Sequence, residues 1–111
     1  MIKLINDEIR AFTEYISDPK IAPVELYVIP GFDAIQTPDR EFAFAVYSPK
    51  ENRIIAAEGV SEELQGEVLH HIAHEYYHHI QHENGVDYDE DDADNFAQNM
   101  LERWERKNEN H

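Results

Sequence analysis

The chain has 111 residues, 41% of them hydrophobic and twelve aromatic, which suits one folded domain with a modest core. Its 24 acidic residues outnumber nine basic ones, for a net charge of −15; such a surface repels nucleic-acid phosphates, and no basic stripe offsets it. The absence of cysteine excludes disulfides and thiolate metal ligands, and no apolar run approaches the roughly 18 residues of a membrane span.

The N-terminal stretch Met1 to Glu8 lacks a signal-peptide core, so a cytoplasmic location is expected. Ile5, Ile9, Phe12 and Ile16 recur at helical spacing and predict an amphipathic helix over about residues 3 to 17, ended by Ser17-Asp18-Pro19. Val24 to Ile29 has the β-branched and aromatic content of a strand, stopped by Pro30-Gly31. After a loop through Pro38-Asp39, Phe42 to Tyr47 reads as a second strand. The turn Ser48 to Asn52 then returns the chain as a third strand, Arg53 to Ala57, making a hairpin.

Ser61 is a fitting N-cap for a long helix, with Glu62 and Glu63 at the positive end of its dipole. Leu64, Val68, Leu69, Ile72, Tyr76 and Ile80 supply its buried stripe, and Asn84-Gly85 ends it. A last helix begins near Asp89 and runs to about Lys107 on the stripe Ala93, Phe96, Ala97, Met100, Leu101 and Trp104; residues 108–111 are expected to fray. The fold class expected is therefore α+β in a single domain spanning 1–111. It comprises an N-terminal helix, a small antiparallel or mixed sheet of about three strands with a hairpin, and two helices packed together.

The middle of the long helix carries His74-Glu75-Tyr76-Tyr77-His78. Histidines four positions apart project from one helix face about a turn from each other, so both imidazoles can close on one metal ion. Glu75 lies about 100° round the helix, placed to reach a water beside the ion rather than the ion. Two neutral nitrogen ligands, an open position and a nearby base meet the needs of metal-assisted hydrolysis, and this is the H-E-x-x-H pattern of zinc peptidases.

With cysteine absent, the third ligand must be a carboxylate or another histidine. If the last two helices pack antiparallel, Glu90 can reach a metal held by His74 and His78, with Asp87 and Asp91 as alternatives. Asp94, four residues on, can accept the proton on the second nitrogen of one of those histidines, His74 in the first instance, and so fix its tautomer. Each assignment has a plainer rival. His70, His74, His78 and His82 step along the helix at four-residue intervals and could form a nonspecific metal ladder or a pH-sensitive surface. Only His74 and His78 carry a correctly placed glutamate, so the other five histidines are expected mostly at the surface. Glu90 could serve only the helix dipole, and Asp94 could be a solvated helix residue. A calcium loop starting at Asp87 fails, because Asp92 stands where glycine and Gln98 where glutamate is required.

Residues His74 to Asp94 resemble a gluzincin zinc peptidase, in which H-E-x-x-H is followed by a helix bearing a glutamate ligand. The second motif here, Glu90 to Ala97, is similar to the E-x-x-A-D-x-F-A type. The length resembles that of the minigluzincins, single-domain members related in pattern to peptidase modules that regulate phage repressors. The resemblance covers residues 42 to 104. It implies one zinc ion per chain held by His74, His78 and Glu90, with Glu75 as general base. It also implies that the outer hairpin strand, through Ala43, Phe44 and Ala45, binds an extended peptide or protein substrate by β-addition. Larger gluzincins take an oxyanion-stabilising histidine or tyrosine from a further subdomain; here Tyr88, Tyr77, His79 and His82 are the candidates. Minigluzincins can be latent through self-association or through their own chain end, so the tail to His111 is a candidate plug. Two functions follow as expectations: a zinc-dependent metallopeptidase, or a latent or inactive zinc-binding module of the same fold acting in regulation. A metal store, holding several weakly bound ions, is a third.

Overall fold

The computed structural model describes residues 7–29, 35–36, 42–43, 45–57 and 62–109. The elements are α1 (Asp7–Ile16), β1 (Glu25–Ile29), β2 (Ile35–Gln36), β3 (Phe42–Ala43), β4 (Ala45–Ser48), β5 (Arg53–Ala57), α2 (Glu62–Glu83) and α3 (Glu90–Glu109). The architecture is α+β, with the N-terminal helix, then the sheet, then the helix pair. The Ser61 cap and the Ile5 position of the first stripe lie outside the described residues.

The main sheet has the order β1-β5-β4, with β1 parallel and β4 antiparallel to the central β5. Central β5 alternates buried Ile54 and Ala56 with half-buried Arg53 and Ile55, as a strand covered by helices on one face should. The hairpin turn closes at Asn52, whose φ of 50° suits a short polar side chain, and Asn52 also offers its carbonyl to the Glu25 N–H at 2.9 Å. That bond fixes the register of β1 against β5.

Two features depart from the sequence reading. Phe42 to Tyr47 is described in two pieces, because Phe44 between them lies outside the described residues: β3 pairs antiparallel with β2, while β4 pairs with β5 in the main sheet. Segment β2 is two residues long, too short to give any periodicity, so the sequence reading passed over it. The last helix also runs two residues past the expected Lys107, through Glu109, into the segment expected to fray.

The core lies between the sheet and the helices. Ile9, Phe12 and Ile16 of α1, Leu26 and Val28 of β1, Ile54 and Ala56 of β5, and Val68, Leu69, Ile72, Ala73 and Tyr76 of α2 are all buried within it. Trp104 packs edge-on against Phe12 at 5.6 Å between ring centroids and joins α3 to α1. Tyr15 lies 5.5 Å from the same indole, and the Lys107 ammonium sits over both rings, at 5.1 Å from Tyr15 and 5.6 Å from Trp104.

The turn from α2 into α3 sets the position of everything that follows. Gly85 has φ of 69°; its N–H bonds the His82 carbonyl at 3.1 Å and the Val86 N–H bonds the Gln81 carbonyl at 3.0 Å. These two bonds are a Schellman ending, which reverses the chain and satisfies carbonyls that the helix leaves open. Asp89 then caps α3: its carboxylate accepts the Asp92 N–H at 3.0 Å and its carbonyl accepts the Ala93 N–H at 3.0 Å. The two helices run antiparallel, with Glu90 beside His78 and Asp94 beside His74 and His70.

Candidate metal centre

Because α2 and α3 meet in this antiparallel order, His74, His78 and Glu90 converge, with one candidate ligand atom from each lying within 4.8 Å of the others. Glu90 Oε2 is 2.8 Å from His74 Nε2, Glu90 Oε1 is 3.0 Å from His78 Nε2, and the two Nε2 atoms are 3.1 Å apart. Among the described residues neither Asp87 nor Asp91 joins this group.

The outer nitrogens of both rings are already committed. His74 Nδ1 lies 2.7 Å from Asp94 Oδ1, and His78 Nδ1 lies 3.0 Å from Gln81 Oε1. Carboxylate and amide oxygens only accept, so each Nδ1 carries a proton, and in the neutral tautomer that this fixes the lone pair of Nε2 turns inward. In that tautomer two nitrogen lone pairs and a carboxylate face one point. A cation resolves that repulsion. The spacing fits one: ligand bonds of about 2.0–2.1 Å in a tetrahedron put neighbouring ligand atoms roughly 3.3 Å apart, near the 3.1 Å found between the imidazoles. The group can hold a metal ion, and its nitrogen-rich, thiolate-free composition matches a borderline divalent ion better than calcium or magnesium.

Gln81 is a residue that sequence reading missed. It is buried, and its amide oxygen also accepts the Asp89 N–H at 3.4 Å, so one side chain orients a metal-facing imidazole and holds the start of α3. A polar residue three positions after His78 on the same helical face was the available signal. Gln81→Met keeps the volume but leaves the buried His78 Nδ1–H and the partly buried Asp89 N–H without this acceptor. It is expected to weaken divalent-metal affinity by about 10- to 100-fold, measured by chelator competition, and to lower stability by about 1–3 kcal/mol.

Glu75 stands apart from the metal-facing group, as the helix geometry requires. Burial is the main cause that raises its pKa from the ordinary 4.5 to about 7; nearby Glu90 adds to this, while His74 and a hydrogen bond from the Tyr47 backbone N–H oppose it. The carboxyl is therefore poised to change its proton near neutrality. Because the Tyr47 N–H points to Glu75 rather than into the β5 pairing, residues of the same parity on β4, including Ala45, turn their backbone groups toward the same edge, which pairs with no strand among the described residues. Of the anticipated substrate residues, Ala45 therefore lies on that edge, Ala43 is paired with Ile35 in the smaller sheet, and Phe44 is outside the described residues.

His79 corrects the expectation of surface histidines: it is 0% exposed. Its Nε2–H donates to the Ala22 carbonyl at 2.6 Å, which leaves Nδ1 to accept the Tyr47 hydroxyl at 2.7 Å. Burial, with Tyr88 and Glu83 nearby, pushes the Tyr47 phenol up to about 12, so it remains the donor. This tie fixes β4 against α2 and with it the N–H that holds Glu75. His70 and His71 are half-buried and His82 is exposed, while His111 lies outside the described residues.

The four oxyanion candidates separate cleanly. Tyr77 packs on Phe96 at 5.1 Å, and His79 has both ring nitrogens engaged. His82 is exposed with its ring 6.3 Å from that of Tyr47. Tyr88 alone lies over the group, stacked on His78 at 4.7 Å with planes 25° apart. Burial and the charge of Glu75 both raise its pKa, which keeps its hydroxyl protonated. No helix among the described residues is long and apolar enough to cross a membrane. No family model, curated protein or solved structure matches the chain.

Proposed function

We propose that this chain is a zinc-dependent metallopeptidase that hydrolyses peptide bonds of an extended segment laid along the edge of β4 that faces away from β5. The observation that carries the reading is the convergence of His74, His78 and Glu90 beside a half-buried carboxyl, Glu75, whose proton is balanced near neutrality. His74, His78 and Glu90 would hold the zinc, and Asp94 and Gln81 would keep the two rings in the binding tautomer. When bound, zinc supplies Lewis acidity toward the scissile carbonyl and brings the pKa of a water toward neutrality.

Glu75 then takes a proton from the water that attacks the carbonyl carbon and delivers it to the leaving nitrogen. One C–O bond forms and one C–N bond breaks, so the products are a carboxylate and an amine. The raised pKa of Glu75 makes it a base that gives its proton up again, as the second half of the reaction requires. The substrate backbone would pair with the outward groups of Ala45 and its neighbours by β-addition. The surface charge of −15 would favour segments rich in lysine and arginine over acidic ones.

The test is metal content and turnover measured together. Protein stripped with a chelator and reloaded is expected to bind one zinc per chain and to cleave unfolded casein or a mixed peptide library, with cleavage lost again on chelation. One tightly bound zinc without cleavage would favour the latent or regulatory module, and several weakly bound ions would favour a metal store.

A further inference from the structure

We infer that the site selects a lysine or arginine side chain at one position of its substrate, held over the rings of Tyr47 and Tyr88 with the Glu83 carboxylate beside them. The inference rests on the peptidase reading above and names the residue class that the site would choose.

The chain shows elsewhere, twice, how it holds such a side chain. The rings of Tyr15 and Trp104 lie 5.5 Å apart with their planes 54° apart, and the Lys107 ammonium sits over both. The Arg53 guanidinium lies 4.6 Å from the Tyr27 ring centroid, and Glu25 meets both partners: it accepts the Tyr27 hydroxyl at 2.7 Å and lies 3.8 Å from the guanidinium. In each case the negative face of a ring attracts the cation. Tyr47 and Tyr88 repeat the arrangement beside the metal-facing group. Their centroids are 6.5 Å apart with planes 52° apart, nearly the tilt of the Tyr15 and Trp104 pair. A cation placed over the pair comes within about 6 Å of both centroids. Among the described residues no lysine or arginine lies there.

Glu83 supplies the acid, as Glu25 does for Arg53. Its carboxylate is 4.0 Å from the ring of His79, which accepts the Tyr47 hydroxyl, and its charge is felt at that phenol. Among the described residues no lysine or arginine pairs with it. Between Arg53 and Arg103 the chain contains neither residue, so the whole stretch that carries the site is without a permanent cation. Both rings are fixed before any ligand arrives. Tyr47 is tied to His79 at 2.7 Å, and Tyr88 stands on a segment pinned by the helix ending and by the Gln81 amide. Groups ordered in advance cost little to order on binding. Tyr88 is stacked on His78, and the Tyr47 backbone N–H holds Glu75 at the edge of β4, so a side chain over both rings belongs to a residue close to the scissile bond. The net charge of −15 attracts a cation anywhere along a peptide; this pair of rings acts at one position only.

The test uses zinc-loaded Glu75→Gln protein and fluorescent peptides in which one lysine is moved through a norleucine background. Norleucine keeps the aliphatic stem and lacks the charge. Lysine is expected to raise affinity on the order of 10-fold at one position and no more than about 2-fold at the others. That advantage should disappear when Glu83→Gln and Tyr88→Leu are combined. It should persist in Glu102→Gln, which removes the same charge about three turns along α3 from Glu90. Comparing lysine with norleucine within each variant cancels any change in zinc content or folding common to both peptides. Equal binding of the two residues at every position, no binding of either, or an equal lysine advantage throughout would overturn the subsite and leave the peptidase reading to its own test. Position-specific lysine binding, with a zinc-loaded parent that cleaves none of these peptides, would keep the subsite and overturn the peptidase reading.

Discussion

Replacing Glu75 by glutamine is expected to abolish peptide hydrolysis while leaving one zinc bound per chain. Glutamine has the same shape, and its amide oxygen can still accept the Tyr47 N–H that holds Glu75 in place. What it lacks is basicity, so only the proton transfers are lost. General-base removal of this kind costs about 10²- to 10⁴-fold in kcat, which brings an unoptimised assay to background. Hydrolysis of a fluorogenic peptide and metal content by atomic absorption, both on the purified variant, check it. A variant that turns over at the parental rate would show that another group moves the proton.

The same substitution has a second consequence, on stability. Burial raises the folded-state pKa of Glu75 from 4.5 to about 7, so the metal-free fold favours the protonated carboxyl. Its contribution is complete below about pH 4.5 and is lost as pH rises through 7. At pH 8 the metal-free parent therefore carries a buried carboxylate that Glu75→Gln removes, and the variant is expected to be more stable by on the order of 2–3 kcal/mol. At pH 4.5 the two should melt alike. Thermal melts at the two pH values read this directly. A residue that weakens its own fold near neutral pH is what a catalytic base in a small domain would look like.

Replacing Glu90 by alanine is expected to have the largest effect on metal binding. It removes the single carboxylate from a group of three ligands and leaves two imidazoles, which bind a borderline divalent ion weakly. The loss of zinc affinity should be on the order of 100- to 1,000-fold, and the rise in Tm that zinc gives the parent should disappear. The fold itself should survive. Glu90 is exposed in the first turn of α3, where its charge on the helix dipole contributes about 0.3–1 kcal/mol, and the capping of α3 comes from Asp89. Glu90→Gln gives the charge-free control with the side-chain length kept. Calorimetric titration of zinc into parent and both variants is the measurement. Unchanged affinity in Glu90→Ala would return this residue to the plain role of a charge at a helix start.

Local order along the chain was legible without the structure wherever one element decides the outcome. The stripe Val68, Leu69, Ile72 and Tyr76 faces the core, as its spacing requires, and His74 and His78 meet at the i, i+4 distance on a neighbouring face. The stop at Asn84-Gly85 was readable because only a residue tolerant of positive φ ends a helix this way. The third strand, Arg53 to Ala57, follows from the turn at Ser48 to Asn52 that returns the chain, and the structure has it at those bounds. Failures fell where pairing partners matter. The stretch from Phe42 pairs with β5 through its later residues, as a hairpin should, but also with the unforeseen β2 through Phe42 and Ala43, and β-pattern says which face is buried but not which neighbour is chosen. His79 reads as a surface residue because it stands outside the His74 and His78 pair with its correctly placed glutamate; its burial depends on the Ala22 carbonyl and the Tyr47 hydroxyl, 57 and 32 positions away.

Helix identity, the two facing imidazoles and the position of Glu75 beside them were set by the sequence alone, because each follows from 3.6 residues per turn. The tertiary structure decided the rest. It chose Glu90 from three nearby acids, matched Asp94 to His74, brought in Gln81, and stood Tyr88 over His78. Each of those contacts depends on the direction in which the chain leaves the Gly85 turn and on how α3 lies along α2. That direction is fixed by the Schellman bonds, by the Gln81 amide and by Trp104 against Phe12, interactions between segments that no periodicity within a single segment can encode.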